Sequence, residues 1–209
     1  MKKLLIIGAG NVGGYISFNI NEFPGFELLG FLDDNPDKHG KEYYDLKVLG
    51  PVSDIDKFLS DDGPLHVAIG IANPAVKQKI AKLLEGKNII FPSLIPAHTW
   101  LSKKVIVGKG VILYPGVSIN YETVLEDFVI MNMNCAIGHN CHISAYSTLA
   151  PGVNLGGFTH IGTATDIGIG TSTRQGIKIG SGVVVGGQTM IARDIPDNVK
   201  VKGVPAKEY

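Results

Sequence analysis

From Val107 onward the chain keeps time in sixes. The residues at that interval are Val107, Leu113, Ile119, Leu125, Met131, Ile137, Ile143, Leu149, Leu155, Ile161, Ile167, Thr173, Ile179, Val185 and Ile191, with Thr173 the one exception to an aliphatic or methionine series. Glycine often follows, as at Gly108, Gly138, Gly156, Gly162, Gly168, Gly180 and Gly186. Four residues after each aliphatic stands a small or β-branched side chain, from Val111 through Thr123, Cys135, Cys141 and Ser147 to Ile195. Such a period is the signature of a parallel β-helix, in which three six-residue sides close one triangular coil and successive coils stack. Eighteen residues then make one turn, and the fifteen sides give about five coils. The aliphatics point inward in files, the small residues let the backbone bend at the corners, and the glycines absorb torsions that other residues resist.

Ahead of this array the pattern is α/β. The run K-L-L-I-I-G at 3–8 reads as a buried strand, followed by G-A-G-N-V-G and a helix through Tyr15 to Asn21. A second run, F-E-L-L-G-F-L, ends at Asp33 and Asp34, and a third, H-V-A-I-G-I, precedes Pro74, which suits the first turn of a helix reaching Glu85. N-I-I-F supplies a last strand. Gly8, Gly10 and Gly13 have dinucleotide-loop spacing, with acidic residues about twenty positions later where a ribose could be read. A glycine turn opening a helix seats an anion; the same turn also serves as a tight connection with no ligand. The unit is about half the size of a full dinucleotide fold, which favours a nucleotide-linked substrate over NAD. The expected organisation is a Rossmann-like acceptor- or nucleotide-binding domain over 1–95 and a β-helix domain over 96–209.

With 19 basic and 19 acidic residues the net charge is zero, so no global field draws the chain to nucleic acid or an anionic membrane. The opening M-K-K-L-L-I-I-G is too short and too quickly ended by glycine for a signal peptide. No stretch approaches the ~18 apolar residues of a spanning helix. Two cysteines, Cys135 and Cys141, without a secretory signal argue for free thiols in a reducing cytosol.

The stretch A-I-G-H-N-C-H-I at 136–143 looks like a metal cluster until the six-residue register is laid over it. Cys135 and Cys141 fall at the small corner position, which predicts a packing role. His142 and His160 are eighteen residues apart and should stack one coil apart, with Lys178 next, as a ladder facing a subunit or solvent. His139 sits near a corner, in a file with Tyr121, Gly157 and Gln175, so it projects beside a glycine with room for a ligand. Position alone leaves it either a surface histidine or a catalytic one. Thr173, beside Arg174 and Gln175, is expected to mark a small outward loop.

A small Rossmann-like domain, hexapeptide coils, the I-G-H-N-C-H-I stretch and the tail I-P-D-N-V-K-V-K-G-V-P-A-K together resemble the sugar O-acyltransferase family. That family holds sialic acid O-acetyltransferases and N-acetyltransferases of UDP-linked amino sugars. The resemblance covers nearly the whole chain and implies a left-handed β-helix, a homotrimer with active sites between subunits, acetyl-CoA as acyl donor and no metal. It implies His139 as general base with Asn140 beside it, where relatives often carry Glu or Asp. Gly10, Asn11 and Val12 match the acceptor-nucleotide loop, Asp33 and Asp34 an acidic pair, and Gly70 a backbone contact. Relatives commonly have histidine at the Val12 and Thr148 positions. Thr148, Ile169 and Gly187 match positions along the CoA groove, and Arg174 or Lys202 could meet CoA phosphates, as could Lys200 and Lys207. The acceptor would be a nucleotide sugar or a sialic-acid-type sugar, acylated on an amino or hydroxyl group. Two other readings remain: a zinc-dependent β-helix lyase of the carbonic-anhydrase type, and a non-catalytic binding or scaffold homologue.

Overall fold

A computed structural model describes all residues, Met1–Tyr209. The chain forms two compact units, one of Met1–Ala72 and Val76–Pro92, the other of Asn73–Ala75 and Ser93–Tyr209.

The first unit is built on a six-stranded sheet. Its elements are β1 (Lys2–Ile7), α1 (Asn11–Phe18), β2 (Phe26–Leu32), β3 (Glu42–Tyr43), β4 (Leu46–Gly50), β5 (Leu65–Ile69), α2 (Pro74–Leu83) and β6 (Ile89–Ile90). The strand order is β3-β4-β2-β1-β5-β6, parallel throughout except for the β3–β4 hairpin. Leu4, Leu5, Ile6 and Ile7 of central β1 are fully buried, as a strand covered on both faces requires. Helix α1 ends at Phe18, short of the expected Asn21, and Ile20–Glu22 continues as a 3-10 turn. Pro74 does open α2. The β3–β4 hairpin went unread because its turn, Tyr44-Asp45, holds positive φ with neither glycine nor asparagine to announce it.

The second unit is a left-handed parallel β-helix with three faces. The first face stacks Trp100–Leu101, Ser118–Ile119, Ala136–Ile137, Asn154–Leu155, Ser172–Thr173 and Met190–Ile191. The second stacks Ile106–Val107, Val124–Leu125, His142–Ile143, His160–Ile161 and Lys178–Ile179. The third runs from Ile112–Leu113 through Ile130–Met131, Thr148–Leu149, Asp166–Ile167 and Val184–Val185 to Lys200–Lys202, and ends in the antiparallel strand Lys207–Glu208. Every pairing joins residues eighteen apart until the last coil, where Val184 meets Lys200 and Ile179 meets Ile195. That coil is two residues short, so Ile195, read from the sequence as a corner residue, takes an inward place. The inward files fill a continuous apolar core that also takes in Leu101 and Ile95, one and two sides before the expected start. Each fully buried aliphatic there contributes about 1.5–3 kcal/mol.

At the corners, glycines do take up left-handed torsions, at Gly110, Gly116, Gly152, Gly170, Gly176 and Gly182, but they share that role with other residues. Left-handed torsions recur along one edge at Lys104, Glu122, Asn140 and Phe158, and not at the glycines that follow the aliphatics. Those glycines are there for close approach: a Cβ at Gly138 would lie 2.5 Å from the Gly157 nitrogen of the next coil. The polar members of the small-residue file are buried donors. Thr123 Oγ1 donates to the Gly138 carbonyl (3.0 Å), Ser147 Oγ to Gly162 (2.9 Å) and Thr165 Oγ1 to Gly180 (2.8 Å). Cys141 Sγ makes the equivalent contact with Gly156 O at 3.4 Å. Where the position is polar, its compact side chain thus gives a hydrogen to a main-chain carbonyl of the next coil; elsewhere in the file it is filled by valine or isoleucine, as at Val111, Val129, Val153 and Ile177.

Candidate functional site

In the first unit the glycine loop joins β1 to α1 at the point where strand order reverses, between β2 and β5, the usual ligand crevice of an open parallel sheet. Gly8 has φ +96°, and a Cβ on Gly13 would overlap the Gly8 carbonyl oxygen. A Cβ on Gly70 would come within 2.9 Å of Gly13. Gly10, by contrast, has open space where its Cβ would be. Three glycines thus bring strand ends and helix together, and Gly10 leaves the N-terminus of α1, with the exposed Asn11, approachable. Val12 itself is buried.

Asp33 is more committed than the sequence suggested. Its Oδ2 accepts from Ala9 N (2.9 Å) and from Lys38 Nζ (2.9 Å), and its Oδ1 accepts from Asn35 N (3.0 Å). Lys38 Nζ also donates to Ala9 O at 3.0 Å. Burial pushes the Asp33 carboxyl up, but the Lys38 ammonium and the two backbone N–H donors outweigh it and hold it below the usual carboxylate range. Asp33 and Lys38 together pin the glycine loop and place one cation beside the anion seat. Asp34 faces elsewhere, its Oδ1 accepting from Val52 N at 2.9 Å. Lys38 was missed in the sequence because nothing in its local pattern ties it to a loop twenty-nine residues earlier.

In the second unit His139 stands at the corner between the first and second faces. Its ring stacks on Tyr121 (centroids 5.1 Å, planes 11° apart) and meets the edge of Phe158 at 4.9 Å. Gly157 is the next residue in this file, and a Cβ there would lie 2.8 Å from His139 Nε2. The glycine thus makes room for the imidazole itself and keeps Nε2 open.

His139 Nδ1 lies 2.9 Å from Asn140 Oδ1. Asn140 Nδ2 donates to Glu122 Oε2 at 3.0 Å, and Lys104 Nζ donates to Glu122 Oε1 at 2.8 Å. The Lys104 hydrogen bond, then that of Asn140, then the Lys104 charge, hold the Glu122 carboxyl below its ordinary range. Lys104, Glu122 and Asn140 are successive left-handed corner residues, one coil apart, so an eighteen-residue count from Asn140 leads to Glu122. Sequence reasoning missed Glu122 because it sought a carboxylate beside the histidine and not one coil below it.

The apparent metal cluster separates. Cys141 is buried at the corner, and burial pushes its thiol up; Cys135 is pushed up to about 11 for the same reason. His142 lies on the second face, stacked on His160 (centroids 5.0 Å), with Lys178 next, as the ladder predicts. Its Nε2 is 2.6 Å from Glu126 Oε1. No group of three or more His, Cys, Asp or Glu side chains is placed to hold a metal ion.

A groove of about 410 Å³ runs along the first face, lined by Trp100, Ser118, Asn120, Gly138, Asn154, Gly156, Ser172 and Thr173 among others. His139 borders it at one corner. At the other, Ile169 and Gly187 are stacked, with Gln188 N donating to Ile169 O at 2.7 Å. Lys202 lies toward that second corner at the end of the third face, its ammonium 3.9 Å from the Tyr209 ring centroid. Arg174 is exposed at the first-to-second-face corner, two coils beyond His139. Thr148 is buried on the third face, and within one chain it is not brought to His139. Thr173 forms no outward loop: its hydroxyl accepts from Gly156 N at 3.0 Å and pairs with Thr159 Oγ1 at 3.0 Å inside the coil.

Known proteins match in two ways. The PglD N-terminal domain family matches residues 3–84. Among curated sequences, the redox-sensing transcriptional repressor Rex of Thermotoga petrophila is 38% identical over 91 residues, 42% of either chain. The GDP-perosamine N-acetyltransferase of Escherichia coli O157:H7 is 30% identical over 96 residues, 43% of this chain and 41% of that one. The chain thus spans less than half the length of these curated relatives. Among solved structures, the acetyltransferase domain of PglB from Neisseria gonorrhoeae FA1090 superposes over the whole of both chains, with TM-score 0.88 and 29% identity. Its complex with acetyl coenzyme A gives TM-score 0.87, 28% identity and coverage of 100% and 99%. No helix of this chain is long and apolar enough to cross a membrane. A PglD N-terminal domain match over residues 3–84, a hexapeptide β-helix and a full-length structural match make the chain similar to sugar acetyltransferases.

Proposed function

We propose that the protein transfers an acetyl group from acetyl-CoA to an amino or hydroxyl group of a nucleotide-linked sugar, with His139 Nε2 as general base. The observation that carries this is the imidazole itself: Nδ1 engaged by Asn140, faces packed by Tyr121 and Phe158, and Nε2 left open by Gly157 beside a groove. Acetyl coenzyme A bound to the PglB domain supports the donor. The name of the Escherichia coli relative supports a nucleotide-sugar amine as acceptor. The glycine loop with Lys38 supplies a seat suited to the acceptor's phosphates.

The acceptor nitrogen or oxygen attacks the thioester carbonyl while Nε2 takes its proton. A main-chain N–H holds the oxyanion of the tetrahedral intermediate. Collapse breaks the carbon–sulfur bond, and the imidazolium returns the proton to the departing CoA thiolate. Neither cysteine serves as nucleophile, since both are buried with raised thiol pKa values. The homotrimer, in which a neighbouring chain completes the groove, belongs to this proposal, as does a reducing cytosolic setting for the two free thiols.

Calorimetric titration with acetyl-CoA separates this reading from a scaffold protein. We expect saturable binding of one acetyl-CoA per chain; a protein that takes up none is a scaffold and not a transferase.

A further inference from the structure

We propose that Glu122 is a positioning residue that sets the tautomer of His139 through the side-chain amide of Asn140; this rests on His139 acting as the base. Glu122 is doubly held: Lys104 occupies Oε1, and Oε2 is left for Asn140. An ionised carboxylate only accepts hydrogen bonds, so the Asn140 group facing Glu122 is the NH2. The amide oxygen must then face His139 Nδ1, at 2.9 Å. An amide oxygen cannot donate, so Nδ1 must carry the hydrogen. In the neutral ring the lone pair therefore sits on Nε2, the nitrogen kept open by Gly157.

Each link follows from the corner register. Lys104, Glu122 and Asn140 all adopt left-handed torsions, at φ 59°, 57° and 55°, and stack one above another. Asparagine tolerates that torsion better than most residues. An amide alone is ambiguous, since it can present either end to the ring. Glu122 removes the ambiguity. Without it, a flipped Asn140 would give its NH2 to a bare Nδ1 and put the hydrogen on Nε2, the tautomer that cannot take a proton from the acceptor. A carboxylate at position 140 would need no such help, because both of its oxygens accept.

The experiment compares Glu122→Ala, Asn140→Asp and the double variant by kcat, KM for acetyl-CoA and the nitrogen-15 spectrum of the His139 ring. Glu122→Ala should lower kcat by about 10- to 100-fold, the usual scale for loss of a group that orients a functional histidine, with KM little changed. The ring should move from the Nδ1–H form to a mixture. In the Asn140→Asp background the same Glu122→Ala change should cost almost nothing. The proposal is overturned if Glu122→Ala keeps both kcat and the Nδ1–H spectrum, or if its penalty is undiminished beside Asp at 140, which would mark a structural role for the corner. If His139→Ala stays active while the ring still responds to Glu122→Ala as described, tautomer control stands and the base assignment fails.

Discussion

Replacing His139 by alanine is expected to lower turnover by about 100- to 10,000-fold, the range a positioned base supplies, with acetyl-CoA affinity essentially unchanged. The split follows from geometry. His139 borders the first-face groove at one corner and contributes no residue to its lining, while the stacked Ile169–Gly187 edge lies at the other. Loss of the ring removes a proton acceptor and leaves the cradle standing. Stopped-time thiol release and calorimetry on the same preparation give both numbers. A variant with undiminished turnover would sink the mechanism; a variant that has lost acetyl-CoA binding would make His139 a ligand-holding residue.

The second large effect lies in the other unit. Gly13→Ala should destabilise the Rossmann-like unit by about 3 kcal/mol or more, at the upper end of what overpacking costs. The added methyl would overlap a backbone carbonyl, that of Gly8, and would also meet the Phe31 ring at 3.0 Å. A flexible side chain could swing aside; a carbonyl held at the end of β1 cannot. Hydrogen exchange followed by mass spectrometry should show lost protection in β1, α1 and β2, with the β-helix strands still protected. Gly10→Ala is the control, since its Cβ enters open space, and it should leave protection intact. Equal protection in the Gly13→Ala and wild-type proteins would mean that α1 shifts to accept the methyl, and the close-approach account of this glycine would be wrong.

The β-helix was legible because its signal repeats. One aliphatic in six says little, but fourteen in fifteen fixes the period, and the period fixes which residues share a face. The His142–His160–Lys178 ladder and the corner packing of Cys141 therefore follow from counting in sixes and eighteens alone. What the period did not disclose is chemistry that depends on torsion. Along the His139 edge the bend falls at Glu122, Asn140 and Phe158, and a glycine marks it only at Gly176. Several of the small residues, Thr123, Ser147 and Thr165 among them, turned out to be hydrogen donors to a neighbouring coil, and their size alone had suggested only room.

The candidate site was half legible for the same reason. His139 and its glycine neighbour follow from an eighteen-residue file. Glu122 follows from that file too, but only once Asn140 is seen to need an acceptor for its NH2. In the first unit the loop glycines could be read by spacing, whereas Asp33 and Lys38 come together through a turn after β2 that has no periodicity. Asp34, equally acidic and adjacent, points at Val52 N. Two neighbouring carboxylates on one turn project in different directions, and only the backbone decides which of them meets the glycine loop.

The central claim is acceptor-dependent acetyl transfer, and mass spectrometry of a turnover mixture tests it most directly. Acetyl-CoA is incubated with UDP-linked amino sugars, GDP-linked amino sugars, CMP-sialic acid or free sialic acid, in the presence of a metal chelator. The account predicts that CoA thiol appears only with an accepted sugar, that the acetyl group is found on that sugar and none on the protein, and that chelation changes nothing. Thiol release that ignores every sugar, or activity abolished by the chelator and restored by zinc, would contradict it.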